Sequence, residues 1–154
     1  MQKQTRRGLL TNAAKAAVAA GGVLATQEVS AQTGRVVKKD ATGKPPGPFP
    51  FTPVVSLGNL LFVSGIGCRI EGTIEEETKW VLDELEKNLA AAGSSLDKVL
   101  KVNVFMEDIK EFDRMNAVYK TRRWGSIFPA RNTVQPAALP AGDHGLAIDC
   151  IAYV

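Results

Sequence analysis

Two hydrophobic periods alternate along this chain, and their order sets the expected architecture. Val54-Val55 and Leu60-Leu61-Phe62-Val63 are apolar runs on either side of Leu57-Gly58-Asn59, which predicts two strands joined by a turn. Ser64-Gly65-Ile66-Gly67 closes the second strand with two glycines, which permit backbone shapes or close approaches that a side chain would forbid. From Thr73 the period lengthens: Val81, Leu82, Leu85 and Leu89 recur at helical spacing. Thr73 is placed to cap this helix, Glu75-Glu76-Glu77 sit where the dipole favours negative charge, and Gly93 is placed to end it. The three glutamates read as a solvated first turn rather than as metal ligands or acid–base groups.

From Val99 to Met106 the pattern returns to period two, with Leu100, Val102, Val104 and Met106 on one face and Lys101 and Asn103 on the other. A second helix is expected from Lys110 to Trp124, with Phe112, Met115 and Tyr119 as its buried stripe and Arg122-Arg123 as a solvated end. Asn116 lies beside that stripe, where an amide needs a partner. After a turn, Asn132-Thr133-Val134 begins a strand, and 139–145 is a loop. Leu146 to Val154 forms the last strand, with Ala147, Asp149 and Ile151 on one face and Leu146, Ile148 and Cys150 on the other. With a short strand at Val36-Val37, the order is βββαβαββ. That is an α+β domain with both helices on one face of a mixed sheet, whose uncovered face is expected to meet other subunits.

The N-terminus changes the electrostatic picture. Thr5-Arg6-Arg7-Gly8-Leu9-Leu10 is a twin-arginine pattern, followed by an apolar run from Ala13 to Ala25 and a small-x-small cleavage site at Val29-Ser30-Ala31. We therefore expect residues 1–31 to be an export signal and 32–154 the domain, released to the periplasm or secreted. The apolar run is too short, and too interrupted by Lys15, for a permanent membrane anchor. The whole chain has 19 Lys+Arg against 16 Asp+Glu; Lys3, Arg6, Arg7, Lys15 and Glu28 belong to the signal, which leaves 15 of each sign. A neutral mature domain argues against nucleic acid as the partner.

Candidate chemistry is sparse. One histidine, His144, rules out a multi-imidazole zinc site within one chain. No phosphate-binding loop or dinucleotide fingerprint is present, so no metal or cofactor is expected. Cys68 and Cys150 are equally compatible with a disulfide and with two buried thiols. Arg131 is the most suggestive residue. Pro129 biases Phe128 to an extended conformation, and the arginine then stands at the entry to a strand, where its planar fork suits a carboxylate or phosphate.

Several local motifs in this order resemble the RidA/YjgF family. They are Gly47-Pro48-Phe49, Val63-Ser64-Gly65, Asn88-Leu89 with Ala92-Gly93, Val102 to Phe105, Asp113 to Tyr119, Phe128 to Thr133, and Ile148-Asp149-Cys150-Ile151-Ala152. The likeness runs from about Val36 onward. It implies a chorismate-mutase-like fold, a homotrimer, and an intersubunit pocket for a small 2-imino or 2-enamino acid, hydrolysed to the keto acid and ammonia without a cofactor. By the same resemblance Arg131 holds the substrate carboxylate, the Thr133 backbone amide assists, and Asn116, Ser64 and Phe49 line the pocket. Phe49 stands where active members have tyrosine, Ile66 replaces a glutamine, and Ala147 replaces the water-orienting glutamate. Asp149 and His144 are the candidate substitutes, and Asp143 shares the lengthened loop with His144. A carboxylate-binding trimer without catalysis is the alternative, and an endoribonuclease-type RNA-binding protein is the weakest reading.

Overall fold

A computed structural model describes residues 37–43, 47, 48 and 50–154. The expected export signal, Val36 and Phe49 lie outside the described residues. The elements are β1 (Lys39–Asp40), β2 (Val54–Leu57), β3 (Leu60–Cys68), α1 (Ile74–Ala91), β4 (Val99–Met106), α2 (Phe112–Tyr119), β5 (Ala130–Val134) and β6 (His144–Tyr153). They form a mixed α+β fold whose six strands run β1-β2-β3-β6-β4-β5 across one sheet. Among the described strands only the β4–β5 pair is parallel; α2 supplies the crossover that such a pair requires.

Local chemistry explains most of these elements. Gly58 (φ +61°) takes the first position of the two-residue β2–β3 turn, as a type II′ hairpin requires. Thr73 caps α1 in a capping box: its hydroxyl accepts from the Glu76 amide, while the Glu76 carboxylate accepts from the Thr73 amide (2.9 Å). Gly93 (φ +78°) ends the helix, and the Ser94 amide reaches back to the Leu89 carbonyl (2.8 Å).

One sheet face carries Leu61, Val63, Val102, Val104, Leu146, Ile148 and Cys150, all buried with Val81, Leu82, Leu85 and Leu89 of α1 and Met115 and Tyr119 of α2 in a single core. Each such leucine contributes about 2 kcal/mol through the apolar surface it removes from water. The other face carries Phe62, Ala147, Asp149, Ile151, Asn103 and Phe105, and among the described residues no helix covers it.

Four local expectations are corrected. Val37 precedes the first strand, which forms at Lys39–Asp40 instead. Leu100 is 48 % exposed and Val99 is buried in its place, because β4 bulges against β6 between Val99 and Lys101 and so shifts phase. The second helix ends at Tyr119, and Trp124 returns to the core beyond it, its indole N–H donating to the Tyr119 carbonyl (2.8 Å). Arg122 is no solvated end: it bridges α1, pairing with Asp83 (2.7 Å) and donating to the Lys79 carbonyl (2.9 Å).

Candidate functional site

Arg131 and Thr133 lie on β5, the edge strand, in register with Val102 and Val104. Both side chains therefore share the helix-covered face, at its rim. The Arg131 guanidinium stacks over Tyr119 (4.5 Å from ring centroid to Cζ) and Phe112 (5.6 Å). Two aromatic rings on one helix thus hold the guanidinium in place. Tyr119 is itself held by a stacked Trp124, with centroids 4.5 Å apart. Burial raises the Tyr119 phenol to about 12, with the Arg131 charge pulling the other way. Among the described residues Arg131 has no acidic partner, whereas Arg69, Arg114 and Arg122 each have one. The Thr133 hydroxyl is buried without a hydrogen-bond partner. Asn116 is half-buried, one turn from Phe112 and on the same side as Tyr119. A guanidinium with no acidic partner among the described residues, beside an unsatisfied hydroxyl, is a place for a small anion.

Ser64 occupies a different place. Between Val63 and Ile66 the β3–β6 register slips, and the bulge it leaves contains Ser64 and Gly65. The Ser64 hydroxyl donates to the Thr52 carbonyl (2.7 Å) and its amide to the Pro53 carbonyl (2.9 Å). Beside it opens a cleft of about 250 Å³, bounded by Phe51, Gly65, Gly67, Arg69 and Trp80 among others. Within one chain this cleft is remote from Arg131. The row Val63–Cys150–Val102–Arg131 crosses three strand spacings, roughly 14 Å at the usual separation. The expected site residues therefore form two half-sites at opposite parts of the sheet.

The candidate acids divide by face. Ala147 pairs with Gly67 on one side and Phe105 on the other, so its methyl lies on the uncovered face. Asp149 shares that face, and its carboxylate accepts from the Asn103 amide (2.7 Å). His144 is the first residue of β6 rather than a loop residue, and its pairing with the core residue Cys68 places it on the opposite face from Ala147. There it lies close enough to Glu77 for the two charges to interact. Glu77 also departs from expectation: Glu75 and Glu76 remain at the surface, but Glu77 is 7 % exposed and accepts from the Gly72 amide (3.2 Å). Burial raises its carboxyl above the ordinary range. Cys68 and Cys150 are both free and buried. Cys150 pairs with Val63, five residues along β3 from Cys68, about 16 Å and far beyond disulfide reach.

The sequence profile of the Endoribonuclease L-PSP family matches residues 42–154. The chain belongs to this family, that of the RidA/YjgF proteins. The L-PSP match spans every described strand except β1, and both helices. Among relatives, the Schizosaccharomyces pombe mitochondrial protein mmf2 is 40 % identical over 110 residues, covering 67 % of this chain and 86 % of that one. The human 2-iminobutanoate/2-iminopropanoate deaminase is 33 % identical over 120 residues, 73 % of this chain and 86 % of that protein. The crystal structure of Escherichia coli TdcF with bound serine superposes with a TM-score of 0.64 at 28 % identity, covering 73 % of this chain and 94 % of that one. The RidA/YjgF family thus includes imine deaminases, and the mixed sheet with two helices is its fold.

Three contributors were missed by sequence reasoning. Phe112 and Tyr119 were assigned to the core stripe, and nothing in a helical period says that a stripe residue also presents its ring to an arginine. Arg69, at the Ser64 cleft, carries no motif at all.

Proposed function

We propose that this chain assembles as a homotrimer in which the Arg131 half-site of one subunit closes on the Ser64 cleft of the next, forming a pocket that hydrolyses a small 2-imino acid to its keto acid and ammonia. The observation that carries this reading is Arg131 itself: a half-buried guanidinium, oriented by two aromatic rings, with no acidic partner among the described residues. Such a fork binds a carboxylate through two parallel charge-assisted bonds. Separation of the two half-sites by roughly 14 Å supports a pocket shared between copies rather than contained in one. The human relative's name adds the substrate class, and the serine of TdcF adds the size and charge of what such a pocket accepts.

In this reading Arg131 and the Thr133 amide hold the carboxylate. Asn116, Ser64 and, by its place in the sequence, Phe49 shape the remainder. Fixing the carboxylate orients C2 of the imine towards a water, which converts a bimolecular encounter into a positioned attack. The reaction takes place outside the cytoplasm if the twin-arginine segment is used, and cell fractionation decides that point.

The test uses 2-iminopropanoate generated in situ from alanine by an amino-acid oxidase. Pyruvate and ammonia should appear faster than in the protein-free blank, from a species of trimer mass in light scattering. A monomer in solution refutes the shared pocket. A rate equal to the blank, with pyruvate still bound, favours the second reading, a carboxylate-binding trimer without catalysis. The observation behind that alternative is the Ala147 methyl, which can neither hold a water nor take its proton.

A further inference from the structure

Hydrolysis of an imine needs a group that takes a proton from the attacking water, and the uncovered sheet face offers one with an unusual seat. Asp143 ends the turn before β6, just after Gly142 (φ +84°), with its amide donating to the Pro140 carbonyl (3.0 Å). Its side chain is only 6 % exposed and pairs with Arg69 (2.9 Å). Its carboxyl group rests directly against Gly67, so that a Cβ on that glycine would overlap it. Glycine at 67 is what makes room for the carboxylate.

Gly67 is the cross-strand neighbour of Ala147. Side-chain positions on directly paired residues lie about 5 Å apart on one face of a sheet. The Asp143 carboxylate, seated at the side-chain position of Gly67, therefore lies about 5 Å from the side-chain position of Ala147, within reach of the region that an acidic side chain at 147 would enter from its own strand. Gly67 and Arg69 both line the cleft beside Ser64. The other acids are differently engaged. Asp149 is bound to Asn103 (2.7 Å), Glu84 at the cleft is paired with Lys87 (2.6 Å), and Glu77 and His144 lie on the helix-covered face.

From this geometry we infer that Asp143 is the proton acceptor of the hydrolysis, held in place and aimed by Arg69, in place of an acid at position 147. The inference rests on the imino-acid reading above. In the step it serves, the water oxygen bonds to C2 of the imine while Asp143 takes the water's proton, and the C=N electron pair moves onto nitrogen. Asp143 then returns that proton to the nitrogen. The carboxylate, free again, then takes the proton of the new hydroxyl and passes it to the amine nitrogen as the C–N bond breaks, leaving keto acid and ammonia.

The experiment measures pyruvate release from in-situ 2-iminopropanoate by the trimer, across pH. Asp143→Asn should lower kcat by about 10²-fold or more, with KM little changed, and abolish the acidic limb of the pH profile. Gly67→Ala, which pushes the carboxylate off its seat, should show the same loss while Asp143 is intact. Asp143→Ala, which empties the seat, should lose the rate likewise, and adding Ala147→Glu to that chain should restore about tenfold or more, as a merely structural role would not. An Asp143→Asn protein with the wild-type rate and acidic limb overturns the assignment alone. So does a loss in kcat that Ala147→Glu fails to recover. Wild-type protein that binds pyruvate but turns over at the blank rate overturns the hydrolytic reading and this assignment together.

Discussion

Removal of the Arg131 guanidinium separates its two roles. Within the chain it stacks on Tyr119 at 4.5 Å and Phe112 at 5.6 Å. At a half-buried site each contact is worth about 0.5–1 kcal/mol. Arg131→Ala should thus cost about 1–2 kcal/mol, lowering Tm by roughly 4 °C per kcal/mol in a domain of this size. Towards ligand the loss is larger, because a charge-assisted pair contributes about 1.5–3 kcal/mol, or roughly 10- to 150-fold in affinity. Calorimetric titration with pyruvate and with pyruvamide isolates that contribution, since the amide lacks the charge but keeps the shape. Wild-type protein should prefer the acid by that factor, and Arg131→Ala should bind both about equally. Arg131→Lys should fall between, keeping the charge without the planar fork. A preference for the acid that survives in Arg131→Ala would refute the assignment, because some other group would then be holding the carboxylate.

Three further outcomes follow from the same geometry. Trp124→Ala removes a 1 %-exposed indole, its hydrogen bond to Tyr119 and the stack beneath the arginine, and should cost about 3–5 kcal/mol in denaturant unfolding while also weakening pyruvate binding. Glu77 has its folded-state pKa raised by burial, so its contribution to stability is fully present below the unfolded pKa and is lost as pH rises through the folded value; Glu77→Gln should raise Tm at pH 7 and give little gain at pH 4, and an equal gain at both would contradict this. Both thiols should be inert to a thiol reagent in native protein and react fully in denaturant, with Tm unchanged by reductant, because burial raises Cys68 and lifts Cys150 to about 12.

Local chemistry made much of this protein legible in advance. The period change from two to 3.6 located both helices and the main strands, and Gly58, Thr73 and Gly93 marked the hairpin and the limits of α1, because turns and caps are decided by residues close in sequence. The alternation of β6 put Ala147 and Asp149 on one face for the same reason. Local pattern could not place the bulge at Leu100, which depends on how β4 meets β6, nor the rescue of Trp124 by a core that forms only after α2 has ended. Sequence also singled out Arg131 by its strand-entry position, but the aromatic rings beneath it come from another element. Ser64 and Arg131, both expected in one pocket, lie three strands apart, and only the strand order β3-β6-β4-β5 reveals it. The seat of Asp143 on Gly67 is of the same kind. Contacts between residues 76 positions apart are set by how strands and turns pack, and no period carries that information.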